Sequence, residues 1–244
     1  MPPVATPADQ PISRTDVNSH TVHEKFLEKA RTGGIDVYFA GDSITWRWGA
    51  TDYPDLLANW RQNFFGWNAA DFGWGADRIE NMLWRLEQGE LDGVRPKVIV
   101  LLAGTTNVAA TSTPAGEAAL VAEVTKGAGA VVRMMQEKAP DATIILTAIF
   151  PRNDNLALMP AIHAINANLA KLADGKMIRY LDVNSKLADR DGKLFEGMMM
   201  NDQVHPAVRG YQVWADGLKP ILTELLGPPA KTDHAPPPTG DPGA

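Results

Sequence analysis

Five short apolar runs punctuate the chain, at residues 35–40, 67–72, 97–103, 143–150 and 177–183, and they predict five strands. The run Lys97-Val98-Ile99-Val100-Leu101-Leu102-Ala103 shows no polar alternation, the mark of a parallel strand buried on both faces. Between the runs lie stretches with apolar residues at helical spacing. One covers residues 21–30, opened by Thr21-Val22-His23-Glu24 with capping-box spacing and stopped by Gly33-Gly34. Others cover 44–48, 53–60, 79–86 (a stripe of Ile79, Leu83 and Leu86), 114–138, 156–172 and 207–226. Strands alternating with helices imply crossover connections and an α/β fold built on a five-stranded parallel sheet. Residues 1–19 are expected to form a flexible arm and 20–226 a single domain. Residues 227–244, rich in Pro and Gly, are expected to be a disordered tail.

Composition narrows the function classes. Of 244 residues, 45% are hydrophobic, enough for a substantial core. A net charge of −6 without a dense basic run argues against a nucleic-acid partner. The absence of cysteine excludes disulfides, a thiolate nucleophile and cysteine metal sites. The histidines lack convergent spacing, so neither a metal site nor a cofactor is expected. No run approaches the ~18 apolar residues of a membrane helix. The start lacks the charged and apolar regions of a signal peptide. That leaves the compartment open: cytoplasmic, or secreted or periplasmic for a mature form. Self-association into a homo-oligomer is also open.

The chemistry gathers at the predicted strand ends. Gly41-Asp42-Ser43 follows the first run, Gly75-Ala76 the second, and Thr106-Asn107 the third; Asp202 and His205 sit just before the last helix. In open α/β sheets, sites form outside the carboxyl ends of the strands. A serine there needs a base, usually histidine, and the histidine needs a partner that holds its ring. Asp202, three residues before His205, can be that partner from the same loop. The plainer readings are that Asp42 or Ser43 merely caps a helix and that Asp202 caps a loop.

The motifs AGDSITWRWG, DFGWGADRIENMLWRLEQGELDGVRPKVIVLLAGTTN, IFPR and DQVHP followed by RGY together resemble the GDSL/SGNH hydrolase family. Within it they resemble the platelet-activating-factor acetylhydrolase catalytic-subunit type. The resemblance covers residues 35–226. It implies a three-layer flavodoxin-like fold with Ser43 as nucleophile, His205 as general base and Asp202 as its orienter. It also implies an oxyanion hole from the Ser43 N–H, a backbone N–H of Gly75-Ala76 and a side chain at Thr106 or Asn107. Two positions depart from the family pattern. Ala76 stands where the family has glycine, which suits the turn if its φ is negative. Thr106 falls where the family has asparagine, with Asn107 one residue later. The implied activity is a metal-free esterase acting on small acyl esters, foremost acetyl esters of carbohydrates. The alternatives are an acyltransferase to alcohols and a weakened ester- or glycan-binding module. Trp46, Trp48, Trp67, Trp74, Met198, Met199 and Met200 are candidate pocket walls, with core packing the plainer reading. Arg47 and Arg152 are candidate contacts for an anionic or polyhydroxyl substrate.

Overall fold

A computed structural model describes residues 7–111 and 113–243. Five parallel strands, β1 (Val37–Gly41), β2 (Ala69–Asp71), β3 (Val98–Leu102), β4 (Thr143–Thr147) and β5 (Ile178–Leu181), form one sheet in the order β2-β1-β3-β4-β5. The register aligns Gly41 with Leu102, and Leu101 with Leu146. This is the flavodoxin-like order. Its topological switch point lies between β1 and β3, where such sheets open a crevice for a ligand.

Seven helices cover the sheet among the described residues: α1 (Val17–Thr32), α2 (Ser43–Gly49), α3 (Pro54–Phe64), α4 (Ile79–Glu87), α5 (Pro114–Lys138), α6 (Met159–Leu169) and α7 (Val208–Leu226). Strand side chains alternate between two cores. Tyr38, Ile99, Leu101, Ile144 and Leu146 pack with α1, α4, α5 and α6. Val37, Phe39, Val98, Val100, Leu102 and Ile145 pack with α2, α3 and α7 around Trp48, Trp60 and Trp214. Strands β1 to β4 are buried throughout, which explains the continuous apolar runs of β3 and β4, whereas β5 at the sheet edge is half-buried from Arg179 to Leu181.

Three expectations need correction. First, α1 opens at Val17, capped by Asp16, whose Oδ1 accepts the Ser19 N–H at 2.9 Å; Thr21 instead donates back to the Val17 carbonyl. Second, the described part of the N-terminal arm is held. Ala8 is buried against Gly127, Asp9 pairs with Lys126 at 2.9 Å, and the Ile12 N–H donates to the Glu80 carbonyl. Third, residues 228–243 are tied down by specific bonds. The Ala230 N–H donates to the Gly66 carbonyl, Asp233 accepts the Gly66 N–H at 2.6 Å, and the Asn18 amide donates to Asp241 at 3.2 Å. Composition predicts disorder there because it counts Pro and Gly and cannot count bonds made to distant residues.

Candidate active site

β1 ends in a residue that can only be glycine. A Cβ on Gly41 would lie 2.0 Å from Thr45 Oγ1 and 2.8 Å from the Leu102 carbonyl oxygen. The chain therefore turns directly into α2. Asp42 caps that helix, its Oδ1 accepting the Ile44 N–H at 2.9 Å. Burial pushes the Asp42 carboxyl up to about 7, against the pull of the Ile44 N–H. With Asp42 as the cap, the Ser43 hydroxyl is left for another partner.

That partner is His205, whose Nε2 lies 2.8 Å from Ser43 Oγ. His205 Nδ1 lies 2.7 Å from Asp202 Oδ2. Asp202 is a carboxylate and can only accept, so Nδ1 carries the proton and Nε2 accepts from Ser43. The other Asp202 oxygen accepts the N–H groups of Val204 and His205, both at 3.0 Å. Burial alone would raise Asp202, but those two N–H groups and the imidazole bring its carboxyl down to about 2. The loop holding the pair is closed by the Met200 N–H on the His205 carbonyl at 2.7 Å. Gly210, in the first turn of α7, lets that helix close on it, since a Cβ there would meet the Met198 carbonyl oxygen at 2.1 Å.

Two arginines flank the imidazole. Arg47 Nη1 donates to Asp202 Oδ2 at 3.3 Å, and its guanidinium lies 5.3 Å over the Tyr53 ring. Arg152 donates to the Thr105 carbonyl at 3.2 Å and forks onto Asp154. Burial lowers the His205 pKa, and the Arg47 charge, then more weakly that of Arg152, adds to this against the pull of Asp202. The imidazole is thereby kept neutral and able to accept a proton.

The loop after β2 packs on the start of α2. The Trp74 N–H donates to the Gly41 carbonyl at 3.2 Å, and a Cβ on Gly73 would lie 2.4 Å from the Trp46 nitrogen. Asp71 clamps this loop to α2, accepting the Gly73 N–H at 2.7 Å and the Gly49 N–H at 3.2 Å. Behind it, buried Arg85 donates to Asp77 at 2.7 Å, to the Phe72 carbonyl at 3.0 Å, and to Glu90. Residues 74–77 form a turn closed by the Asp77 N–H on the Trp74 carbonyl at 3.3 Å. Ala76 has φ +60°, so the expected negative φ is corrected; this alanine takes the left-handed conformation that the loop imposes. Among the described residues, neither the Ser43 nor the Ala76 N–H finds an acceptor.

After β3, Gly104 at φ +115° leads into a 3-10 turn, Thr105–Asn107. Asn107 is buried and engaged at both ends: its Oδ1 accepts the Ile79 N–H at 2.9 Å, and its Nδ2 donates to Glu80 Oε2 at 2.8 Å. It thus caps α4 from outside. Thr106 is half-buried. Of the aromatic candidates, Trp48, Trp67 and Trp74 are core residues, and Trp46 is partly exposed against Tyr53 and Trp74. Met199 is buried, while Met200 touches Arg47 through sulfur at 3.7 Å. Sequence reasoning does not single out Asp71, Arg85 or Arg14, because a charged residue reads as surface until its buried partners are known.

A hydroxyl, an imidazole and a carboxylate aligned at the switch point of a flavodoxin-like sheet belong to the class of hydrolases acting on esters. The chain is a member of the GDSL-like lipase/acylhydrolase family, whose model matches residues 39–213. It is 28% identical over 226 residues to platelet-activating factor acetylhydrolase IB subunit alpha1 of Bos taurus, covering 90% of each chain. It is likewise 28% identical over 234 residues to the alpha2 subunit of Gallus gallus, covering 91% of this chain and 93% of that protein. A solved GDSL-like lipase from Bacteroides thetaiotaomicron shares the fold with a TM-score of 0.64 at 17% identity, over 84% of this chain and 98% of that one. An acetyl-xylooligosaccharide esterase from Geobacillus does so with a TM-score of 0.59 at 15% identity, over 80% and 95%. Among the described residues no helix is long and apolar enough to cross a membrane.

Proposed function

We propose that the protein is a metal-free serine esterase that hydrolyses short-chain acyl esters, foremost acetyl esters of carbohydrates, through an acyl-serine on Ser43. The observation that carries this reading is the unbroken hydrogen-bonded path from Ser43 through His205 to Asp202. Ser43 Oγ attacks the ester carbonyl carbon as His205 Nε2 takes its proton, and Asp202 steadies the imidazolium. The tetrahedral oxyanion is received by the N–H groups of Ser43 and of the Gly75-Ala76 turn, with the Thr106 hydroxyl as the side-chain donor. Asn107 is the weaker candidate for that last role, because its amide is engaged on α4. The alcohol leaves with the proton from His205; water then repeats the attack, and the carboxylic acid is released. Removal of an acetyl group is named for both the mammalian relative and the acetyl-xylooligosaccharide esterase, which supports a small acyl group; the second name alone supports a sugar alcohol.

The test combines a p-nitrophenyl ester series, from acetyl to octanoyl, with a panel of acetylated sugars. kcat/KM should fall as the acyl chain lengthens and should survive EDTA. A serine-directed phosphonate should add its mass to Ser43 alone. Labelling at another serine, or loss of activity with EDTA, would overturn the mechanism.

A further inference from the structure

The N-terminal arm reaches the active edge through one side chain. Arg14 Nη1 donates to the Gly75 carbonyl at 3.1 Å and lies 3.5 Å from Asp77 Oδ1. Its Nε and Nη2 are held by Asp16 Oδ2 at 3.1 and 3.0 Å. The arm around it is fixed: the Ile12 N–H donates to the Glu80 carbonyl, and the Ile12 carbonyl accepts from Asn81, both at 2.9 Å. Ile12 to Thr15, together with Ala76 and Arg78, line one groove of about 500 Å³.

The Gly75 carbonyl belongs to the same planar trans peptide as the Ala76 N–H, and in such a unit the two point in opposite directions. Anchoring one aims the other. This peptide is the central one of the turn at 74–77. Ala76 has positive φ there and Gly75 does not, the pattern of a type II turn. Half a rotation of the central peptide gives a type I turn between the same end residues, with negative φ at both central positions. An L-residue at the third position favours the type I form, whereas glycine has no such preference. Alanine at 76 therefore pulls this peptide toward the flipped orientation.

We propose that Arg14 is a positioning residue of the active site: by holding the Gly75 carbonyl, it keeps the Gly75–Ala76 peptide from flipping and keeps the Ala76 N–H aimed at the developing oxyanion. The proposal rests on the reading of that N–H as an oxyanion-hole donor. It makes the arm part of the catalytic apparatus, and it supplies from a side chain the constraint that a glycine at 76 would make unnecessary.

The experiment is a two-by-two cycle in the full chain: wild type, Arg14→Met, Ala76→Gly and the double variant. Each is assayed for kcat and KM on p-nitrophenyl acetate. Arg14→Met should lower kcat about 5- to 30-fold, the left-handed penalty of alanine expressed as a population ratio, with KM little changed. In the Ala76→Gly background the same substitution should cost far less. Arg14→Lys keeps the charge and a donor, and should recover part of the loss even where methionine loosens the arm. Equal losses in both backgrounds would make Arg14 a purely structural contact and overturn the proposal. So would an Arg14→Met enzyme with wild-type kcat, provided Ser43→Ala is inactive. An active Ser43→Ala enzyme would overturn the underlying mechanism, and the proposal with it.

Discussion

Replacing Asn107 by alanine separates a structural role from a catalytic one. Asn107 accepts the first N–H of α4 at 2.9 Å and donates to the buried Glu80 carboxylate at 2.8 Å. Arg78, in the cap position of that helix, cannot accept a hydrogen bond, so Asn107 takes the place of the missing cap. Losing a cap costs about 0.5–2 kcal/mol, and a buried carboxylate oxygen left without its donor about 1–3 kcal/mol more. Glu80 keeps its contact with Arg78 through the other oxygen, which holds the sum near ~2–3 kcal/mol. For a chain of this size that is a fall in Tm of roughly 4–12 °C. The assay pairs a thermal melt with kcat on p-nitrophenyl acetate well below the melt. A marked drop in Tm with kcat reduced by no more than a few-fold is expected. The reverse result, an unchanged Tm with kcat down by about 10²–10³, is the signature of a lost oxyanion donor and would refute the reasoning.

Other outcomes follow from the same geometry. Asp202→Asn should leave the fold intact and lower kcat by about 10³–10⁴, because the imidazole loses the acceptor that selects its tautomer; full activity would remove Asp202 from the mechanism. The His205 pKa lies below its ordinary value of 6.5, so the base is neutral at neutral pH and kcat/KM should fall only as pH drops through that lowered value. Arg47→Met removes a cation that disfavours the imidazolium and should move the acid limb upward; a limb that does not move would show that Arg47 exerts no field on His205. Ala76→Gly should raise stability in a urea melt by up to about 1.6 kcal/mol, the left-handed penalty of ~1–2 kcal/mol less the ~0.4–1 kcal/mol entropic cost of glycine. A loss of stability would mean that the loop does not strain this alanine.

Local signals were legible in the chain and cross-element ones were not. The helix at Pro114–Lys138 carries its own start, Thr113 before Pro114, with Thr113 accepting the Gly116 N–H. Apolar runs marked all five strands, most plainly β3 and β4, where burial on both faces leaves no room for polar alternation. Ser43 and the Asp202–His205 pair announce themselves through strand ends and short spacing, and the fold brings them within hydrogen-bond distance. The engagement of Asn107 on α4 could not be read, because it depends on that helix having an arginine where its own cap should be. The start of α1 was misplaced because Thr21 and Glu24 have capping spacing, while Asp16 is the residue that meets the free N–H. The tail was misjudged because its order comes from single bonds to Gly66, Asn68 and Asn18. The sign of φ at Ala76 depends on the packing of its loop on α2, on Arg85 behind it and on Arg14 against the Gly75 carbonyl, none of which has a local signature.

The hydrogen bond between Ser43 and His205 joins residues 162 positions apart, whereas Asp202 and His205 are three apart. Closing so long a loop has a large but slowly growing entropic cost, and contacts of this kind form late. Ser43, Ala76 and Thr106 all lie in the first half of the chain, shortly after β1, β2 and β3. The acid–base pair arrives as a ready-made unit on the loop before α7. On the proposed mechanism, the serine and its neighbours can be in place during synthesis while the chain is still inert, because His205 has yet to emerge. Ester cleavage by that route needs the loop before α7 to reach Ser43, so recovery of activity on refolding should report that closure as well as formation of the sheet.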